Sequence, residues 1–258
     1  MTRATGADEP AGASGRSRAP SGAPPGAPFG APAKPTVDHL LYAGPDLPGL
    51  IAAVAASCGV EASPGGRHTK QGTHNALVGL GPSCYLELMA PDPDGVPDGD
   101  YRRSIAHLKA PQVFTWCART ANSAGLAARA AEIGLEVKVS EGGRRTPSGG
   151  ELRWRLIVLV GHGFGGHLPF FIDWLDSPHP AAGLAPQGRL LALTLQHPDA
   201  VGLANLLRAL AWPLGQATAP DQLVSVTPGD SAMISARLSV PAGEVELQGT
   251  GAGLQLTS

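Results

Sequence analysis

The 258-residue sequence lacks the features that mark several protein classes. No apolar run approaches the roughly 18 residues that a membrane-spanning helix needs, and no apolar segment of a secretory signal follows the N-terminus. The 21 acidic and 19 basic residues nearly balance, so no overall field favours nucleic acid or an acidic membrane. We therefore expect no nucleic-acid partner and no membrane association.

Cysteine and aromatic residues are also scarce. Cys58, Cys84 and Cys117 are widely spaced and form no CxxC pair, which argues against a zinc knuckle or a disulfide framework. Reduced thiols and a cytoplasmic location are expected. Aromatic residues make up 5% of the chain, whereas glycine (35) and proline (25) are abundant. Much of that excess lies in residues 1–35. We expect this segment to be a disordered tail, because it has too few apolar side chains for their burial to offset the entropy cost of ordering the chain.

The chain does contain one pattern that occurs twice. Residues 37–92 read as an apolar strand with His39, a helix, and further strands, of which the last carries Glu87 within YLELM. Residues 112–176 repeat this order, and Asp173 within FFIDW takes the place of Glu87. The segments GGRHT and GGRRT occupy matching positions in the two copies. Order, motif and spacing agree, which indicates an internal repeat of βαβββ units.

The remainder of the chain contains a weaker third copy. Residues 187–258 begin with the strand RLLALTLQ, continue into a helix and end in three short strands. We therefore predict a paired domain over residues 36–186, followed by a degenerate βαβββ-like unit over residues 187–258.

Four segments carry a family resemblance: VDHLLYAGPDL, GGRHTKQGTHNALVGLG, YLELMAPDP and PFFIDW. Together they resemble the vicinal oxygen chelate superfamily of glyoxalases, bleomycin-resistance proteins and ring-cleaving dioxygenases, and more narrowly its glyoxalase-like domain proteins. The resemblance implies an α+β fold in which repeated βαβββ units form cupped, incomplete barrels of mostly antiparallel sheet with helices outside. It also implies divalent-metal ligands on the first and last strand of each unit, a small-molecule substrate or ligand in the cup, and a fold that often forms homodimers.

On this resemblance, His39 and Glu87 are the expected metal ligands of the first unit. One imidazole and one carboxylate suit Zn, Fe, Mn, Ni or Co, so the metal identity stays open. A third ligand also stays open, and the candidates are His74, His68 and Asp173.

The face on which His74 lies depends on the turn that follows its strand. If Pro82 and Ser83 are the two central residues of that turn, His74 shares the face of Glu87. A one-residue slip would place it on the opposite face. On the first pairing, Glu87 or His74 is the predicted catalytic residue that moves a proton.

The second unit departs from the ligand pattern. The residue aligned with His39 is Trp116 or, with a one-residue slip, Thr115, and neither is a good metal ligand. The sequence therefore predicts one intact half-site and one changed half-site.

Arginines and tryptophans supply a second set of candidates, because a guanidinium beside aromatic rings suits an acidic or aromatic ligand. The predicted substrate-binding residues are Arg67, His68, Trp116, Arg153, Trp154 and Trp174.

Two functions remain in competition. A metal-dependent lyase, isomerase or dioxygenase is favoured by the acidic and histidine residues of the first unit. A metal-free protein that binds or sequesters a small molecule, as drug-resistance proteins do, is favoured by the changed second half-site.

Overall fold

A computed structural model describes residues 35–145, 151–214 and 223–253. The predicted tail over residues 1–35 lies outside this range, apart from Pro35.

The first unit has the predicted order of strand, helix and three strands. Its elements are β1 (Thr36–Ala43), α1 (Leu47–Cys58), β2 (Ser63–His68), β3 (Thr73–Gly79) and β4 (Tyr85–Pro91). Asp46 caps α1 by accepting a hydrogen bond from the Gly49 amide at 2.7 Å, and Gly59 ends the helix at a φ of 68°. The strands β1 and β4 pair in parallel, so the first and last strands are neighbours as expected.

The second unit follows a short helix that the sequence did not predict, α2 (Asp100–Ile105). Its elements are β5 (Gln112–Arg119), α3 (Ser123–Glu132), β6 (Glu136–Arg145), β7 (Glu151–Val160) and β8 (Phe170–Asp173). The two units join in one eight-stranded sheet of order β2-β3-β4-β1-β5-β8-β7-β6. Residues of β2 and β6, at opposite ends of this order, line the same cavity, so the sheet curls into a cup. The predicted α+β cupped fold is confirmed.

The C-terminal part forms a separate four-stranded sheet. Its elements are β9 (Arg189–His197), α4 (Ala200–Ala209), β10 (Val224–Pro228), β11 (Met233–Val240) and β12 (Gly243–Gly249). The strand order is β10-β9-β11-β12, with β10 parallel to β9. In the first unit it is instead the last strand that pairs in parallel with the first. The element order of this third unit therefore matches the repeat while its strand order differs.

The main apolar core lies on the outer face of the curled sheet. Leu40, Leu88 and Phe171 of the large sheet belong to the same buried cluster as Leu193 of the small sheet. The inner face is thereby left for the cavity. No helix within the described residues is long and apolar enough to cross a membrane.

Candidate functional site

A cavity of about 480 Å³ occupies the cup. This volume lies within the range of small-molecule sites. The first unit contributes mainly polar side chains to its lining, among them His39, Glu87, His68 and Asn75, and Tyr101 of α2 adds a hydroxyl. The second unit contributes a mostly apolar wall, including Trp154, Leu156, Phe170, Ile172 and Trp174.

The pairing of β3 with β4 corrects the placement of His74. The Leu80 amide donates to the Cys84 carbonyl at 3.0 Å, so three residues form the loop between the strands, not two. Gly81 begins this loop at a φ of 104°, which glycine adopts readily. The extra residue shifts the register by one and pairs Leu77 with Glu87. His74 therefore lies on the face opposite Glu87 and is not part of the cavity lining.

His39 and Glu87 meet on the floor of the cup, as the resemblance implied. His39 pairs with Tyr85 and Leu41 pairs with Glu87, so both side chains lie on the same face of neighbouring strands. His39 Nε2 lies 3.4 Å from Glu87 Oε2, and the two side chains are only 4% and 8% exposed. The His39 ring also stacks on Tyr85, with 4.6 Å between the ring centroids.

Asn75 orients the Glu87 carboxylate. Its Nδ2 donates to Glu87 Oε1 at 2.5 Å, while its Oδ1 accepts from the Gly66 amide at 2.6 Å. A Cβ on Gly65 would lie 2.0 Å from Asn75 Oδ1, which explains the first glycine of the GGRHT motif. With Oε1 bound in this way, Oε2 of Glu87 is directed at His39.

His68 stands beside the same carboxylate. Its Nε2 lies 3.9 Å from Glu87 Oε1, and its Nδ1 lies 2.8 Å from the hydroxyl of the buried Thr73. Tyr101, on the unpredicted helix α2, lines the cup with its ring 6.3 Å from that of His68. Burial and then the charge of Glu87 raise the pKa of Tyr101, so its hydroxyl stays protonated.

Asp38 holds the other side of the His39 ring. Asp38 Oδ1 lies 2.8 Å from His39 Nδ1, and Oδ2 accepts from Trp174 Nε1 at 2.9 Å and contacts His179 Nε2 at 3.0 Å. Burial by itself raises the pKa of Asp38, but the hydrogen bonds to His179 and His39 outweigh it and hold the pKa well below its usual range. The signal in the sequence was an acidic residue inside an apolar strand, which must find partners when buried.

The second unit places different residues at the matching positions. Cys117 on β5 pairs with Phe170 on β8, as His39 pairs with Tyr85. Two residues beyond Phe170, Ile172 takes the position of Glu87. The half-site is changed as predicted, but the residue that replaces His39 is Cys117.

Three candidates of the second unit do not reach the cup. Trp116 is fully buried in the outer core, where its Nε1 donates to the His167 carbonyl at 3.0 Å and its ring packs edge-on against Trp212. Asp173 is displaced from the cup face by one residue, and its carboxylate accepts from the Leu175 amide at 3.0 Å. Arg153 likewise lies outside the cavity lining. The alternation of strand residues explains all three placements.

The remaining substrate-binding candidates lie at the cavity. Trp154 and Trp174 form one wall, with ring centroids 5.8 Å apart. Arg67 lies at the rim, half exposed, and its guanidinium pairs with Asp92 at 2.8 Å and Asp94 at 2.6 Å. Its charge is thus already neutralised within the protein.

Two neighbouring groups of side chains could hold a metal. The ligand atoms of Asp38, His39 and Cys117 lie within 4.8 Å of one another. However, Asp38 already makes three hydrogen bonds, and burial raises the pKa of Cys117 well above its usual range, which disfavours the thiolate ligand. At the His39–Glu87 pair the fit is better, because two ligands of a tetrahedral metal with 2.0–2.1 Å bonds lie about 3.3 Å apart.

The curled sheet of two βαβββ units has the architecture that the resemblance to the vicinal oxygen chelate superfamily implied. A family model described as a glyoxalase-like domain matches residues 37–211. The chain therefore belongs to the glyoxalase-like domain family. No curated protein sequence matches it significantly.

Several solved structures are similar in fold. A hypothetical protein from Staphylococcus aureus aligns at 15% identity over 76% of this chain and 87% of its own, with a TM-score of 0.58. Methylmalonyl-CoA epimerase from Mycobacterium tuberculosis aligns at 18% identity over 54% of this chain and 88% of its own, with a TM-score of 0.39. A Streptomyces coelicolor methylmalonyl-CoA epimerase in complex with 2-nitronate-propionyl-CoA aligns at 20% identity over 55% and 98%, with a TM-score of 0.41.

Proposed function

We propose that the protein is a divalent-metal-dependent enzyme, a lyase, isomerase or dioxygenase, that acts on a small oxygenated substrate in the cup. One observation carries this proposal. His39 Nε2 and Glu87 Oε2 face each other at 3.4 Å on the cup floor, and each side chain is oriented by a hydrogen-bonded partner, the buried Asp38 and the half-buried Asn75. Metal ligands in proteins are held by hydrogen-bonded partners of this kind.

His68 is the best-placed third ligand. Its Nε2 lies near the same carboxylate, and its Nδ1 is engaged by the Thr73 hydroxyl. Two imidazoles and one carboxylate suit Fe, Mn, Co, Ni or Zn and leave coordination positions for substrate oxygens. When bound, such a metal supplies a Lewis acid that stabilises negative charge on those oxygens.

The other residues of the cup bind and orient the substrate. Tyr101 carries a protonated hydroxyl that can donate a hydrogen bond to a substrate oxyanion. Trp154, Trp174 and Ile172 form an apolar wall that excludes water and receives a ring or another apolar group. The substrate expected from this division has its oxygen atoms at one end and its apolar part at the other.

The ion pairs at the rim leave no unpaired arginine among the described residues of the cavity lining for an anionic substrate. Arg67 is neutralised by Asp92 and Asp94, and Glu141 is ion-paired with Arg155 at 2.8 Å. A substrate carboxylate or phosphate would have to displace these pairs to reach either arginine, and Lys70 is the remaining lysine of the described lining. An uncharged substrate has no such competition to overcome.

One alternative function has an observation of its own. Cys117 and Ile172 stand where the second pair of ligands would lie, and this change favours a metal-free protein that binds or sequesters a small molecule. In that case the tryptophan wall would supply most of the binding energy.

Metal analysis of the purified full-length chain separates the two functions. Protein prepared without chelator should carry metal, or should take up Mn²⁺, Fe²⁺, Co²⁺ or Zn²⁺ stoichiometrically. His39→Ala and Glu87→Gln should abolish that binding. His74→Ala is the matched control, because this histidine lies on the opposite face. Absence of metal binding in the unmodified chain would favour the metal-free alternative.

A further inference from the structure

The contact between Asp38 and His39 depends on an irregularity of β1. Consecutive residues of a regular strand point to opposite faces and do not touch. The register of β1 against β5 shifts between Val37 and His39, so Asp38 lies in a β-bulge. Bulges redirect side chains. Here the result is a 2.8 Å contact between Asp38 Oδ1 and His39 Nδ1, with both residues buried.

The hydrogen bonds around Asp38 determine where the protons lie. His179 Nδ1 accepts from the Ala181 amide at 3.2 Å, so Nε2 carries the proton and donates to Asp38 Oδ2 at 3.0 Å. The indole nitrogen of Trp174 can only donate, and it donates to the same oxygen at 2.9 Å. An ionised carboxylate only accepts, so His39 must donate from Nδ1 to Oδ1.

We propose that Asp38 is a positioning residue that keeps a proton on Nδ1 of His39 and thereby presents the Nε2 lone pair to the cup beside Glu87. In neutral imidazole, the hydrogen bond made by one nitrogen decides which nitrogen carries the proton. The use of that lone pair as a metal ligand rests on the proposed function. The tautomer of His39 is inferred from the hydrogen bonds around Asp38 and does not depend on the proposed function.

The second unit and the segment that follows it supply the residues that hold Asp38. Trp174 directly follows β8 and also lines the cup, while His179 precedes a short 3₁₀ helix at Pro180–Gly183. Arg119 of β5 adds a cation 3.9 Å from Asp38 Oδ2. Residues of and next to the second unit therefore hold His39 of the first unit in place through the buried Asp38 carboxylate.

The tautomer can be read directly from ¹⁵N shifts of histidine-labelled full-length protein. Spectra are recorded at a pH where the His39 ring is neutral, with His39→Gln used to assign its signals. The expected result is a protonated Nδ1 and a bare Nε2. In Asp38→Asn, the amide oxygen should keep the Trp174 and His179 donors while its NH₂ group faces His39, so the ring should switch to the Nε2–H tautomer. Asp173→Asn, the same carboxylate-to-amide change on β8 away from the cup, should leave the ring unchanged.

A second measurement tests the link to metal binding. Titration with Co²⁺, followed by its visible absorption, should show an affinity about 10- to 100-fold lower in Asp38→Asn than in Asp173→Asn. If the tautomer switches but the unmodified chain binds no Co²⁺, the role of Asp38 stands and the proposed metal function fails. An Nε2–H tautomer of His39 in the unmodified protein would overturn the role of Asp38. This outcome does not require Asp38→Asn to fold. An unchanged Nδ1–H tautomer in folded Asp38→Asn would overturn it equally.

Discussion

The two βαβββ units build one cup from nearly opposite chemistry. His39, Tyr85 and Glu87 occupy positions in the first unit that match Cys117, Phe170 and Ile172 in the second. The first unit therefore contributes the polar groups and the second an apolar wall. The difference shows that two copies of one fold can contribute different kinds of side chains to a shared cavity. One copy keeps the polar groups, and the other supplies the wall and, with His179 just beyond it, the support for Asp38 through Trp174.

The largest expected effect is on stability, and it distinguishes two tryptophans of the second unit. Trp116 is fully buried in the outer core, whereas Trp154 is half-buried on the cup wall. Trp116→Ala should lower the free energy of unfolding by about 3–5 kcal/mol, because a large core cavity is created. Trp154→Ala should cost less than half as much. Chemical denaturation followed by far-ultraviolet circular dichroism measures both, and equal losses would contradict the assignment of Trp154 to the cup.

An intermediate effect is expected from restoring a ligand to the changed half-site. Ile172→Glu places a carboxylate at the position that matches Glu87. We expect the affinity for Mn²⁺ to rise about tenfold, or about 1.4 kcal/mol, since a hard cation gains an oxygen ligand. Ile172→Met is the control for a long side chain that carries no oxygen ligand. An equal gain in the control, or no gain in either variant, would show that this position does not face the metal. Isothermal titration calorimetry gives the affinities.

The smallest effect concerns a buried histidine of the second unit. His167 is 1% exposed, and its Nε2 has no hydrogen-bond partner among the described residues, whereas His39 is held by Asp38 and Glu87. Burial, and then the charge of His197, lower the pKa of His167 from its ordinary 6.5. The unfolded chain therefore takes up a proton more readily, and stability should fall as the pH drops below about 6.5.

Denaturation midpoints across this pH range test that expectation. His167→Gln should flatten part of the acid-side decline, although burial also lowers the pKa of His162 and leaves a remaining slope. The exposed His107→Gln serves as control and should keep the full decline. If His167→Gln and His107→Gln decline alike, His167 is not the group that titrates.

Much of the fold could be predicted because its signals are local. The cap at Asp46, the left-handed Gly59 and the order of strands and helices are fixed by residues a few positions apart. The position of His39 and Glu87 on one face also followed, once the first and last strands of the unit were taken as neighbours. The cytoplasmic location and homodimer formation stay predictions.

The errors arose where one residue changes the register. A three-residue loop after β3 turned His74 away from the cup and brought Asn75 into it. The shift that placed Cys117 opposite His39 sent Trp116 into the core. Because side chains alternate along a strand, such a slip reverses every face while leaving the periodicity of the sequence unchanged.

The sequence by itself determined the repeated units, the alternation of apolar and polar residues along their strands, and the presence of His39 and Glu87 on one face of the first unit. Only the tertiary structure decided which groups hold them. The bulge at Asp38 and its partners Trp174 and His179 join residues more than a hundred positions apart. No local pattern encodes such contacts, because they depend on how the two units pack edge to edge in one sheet.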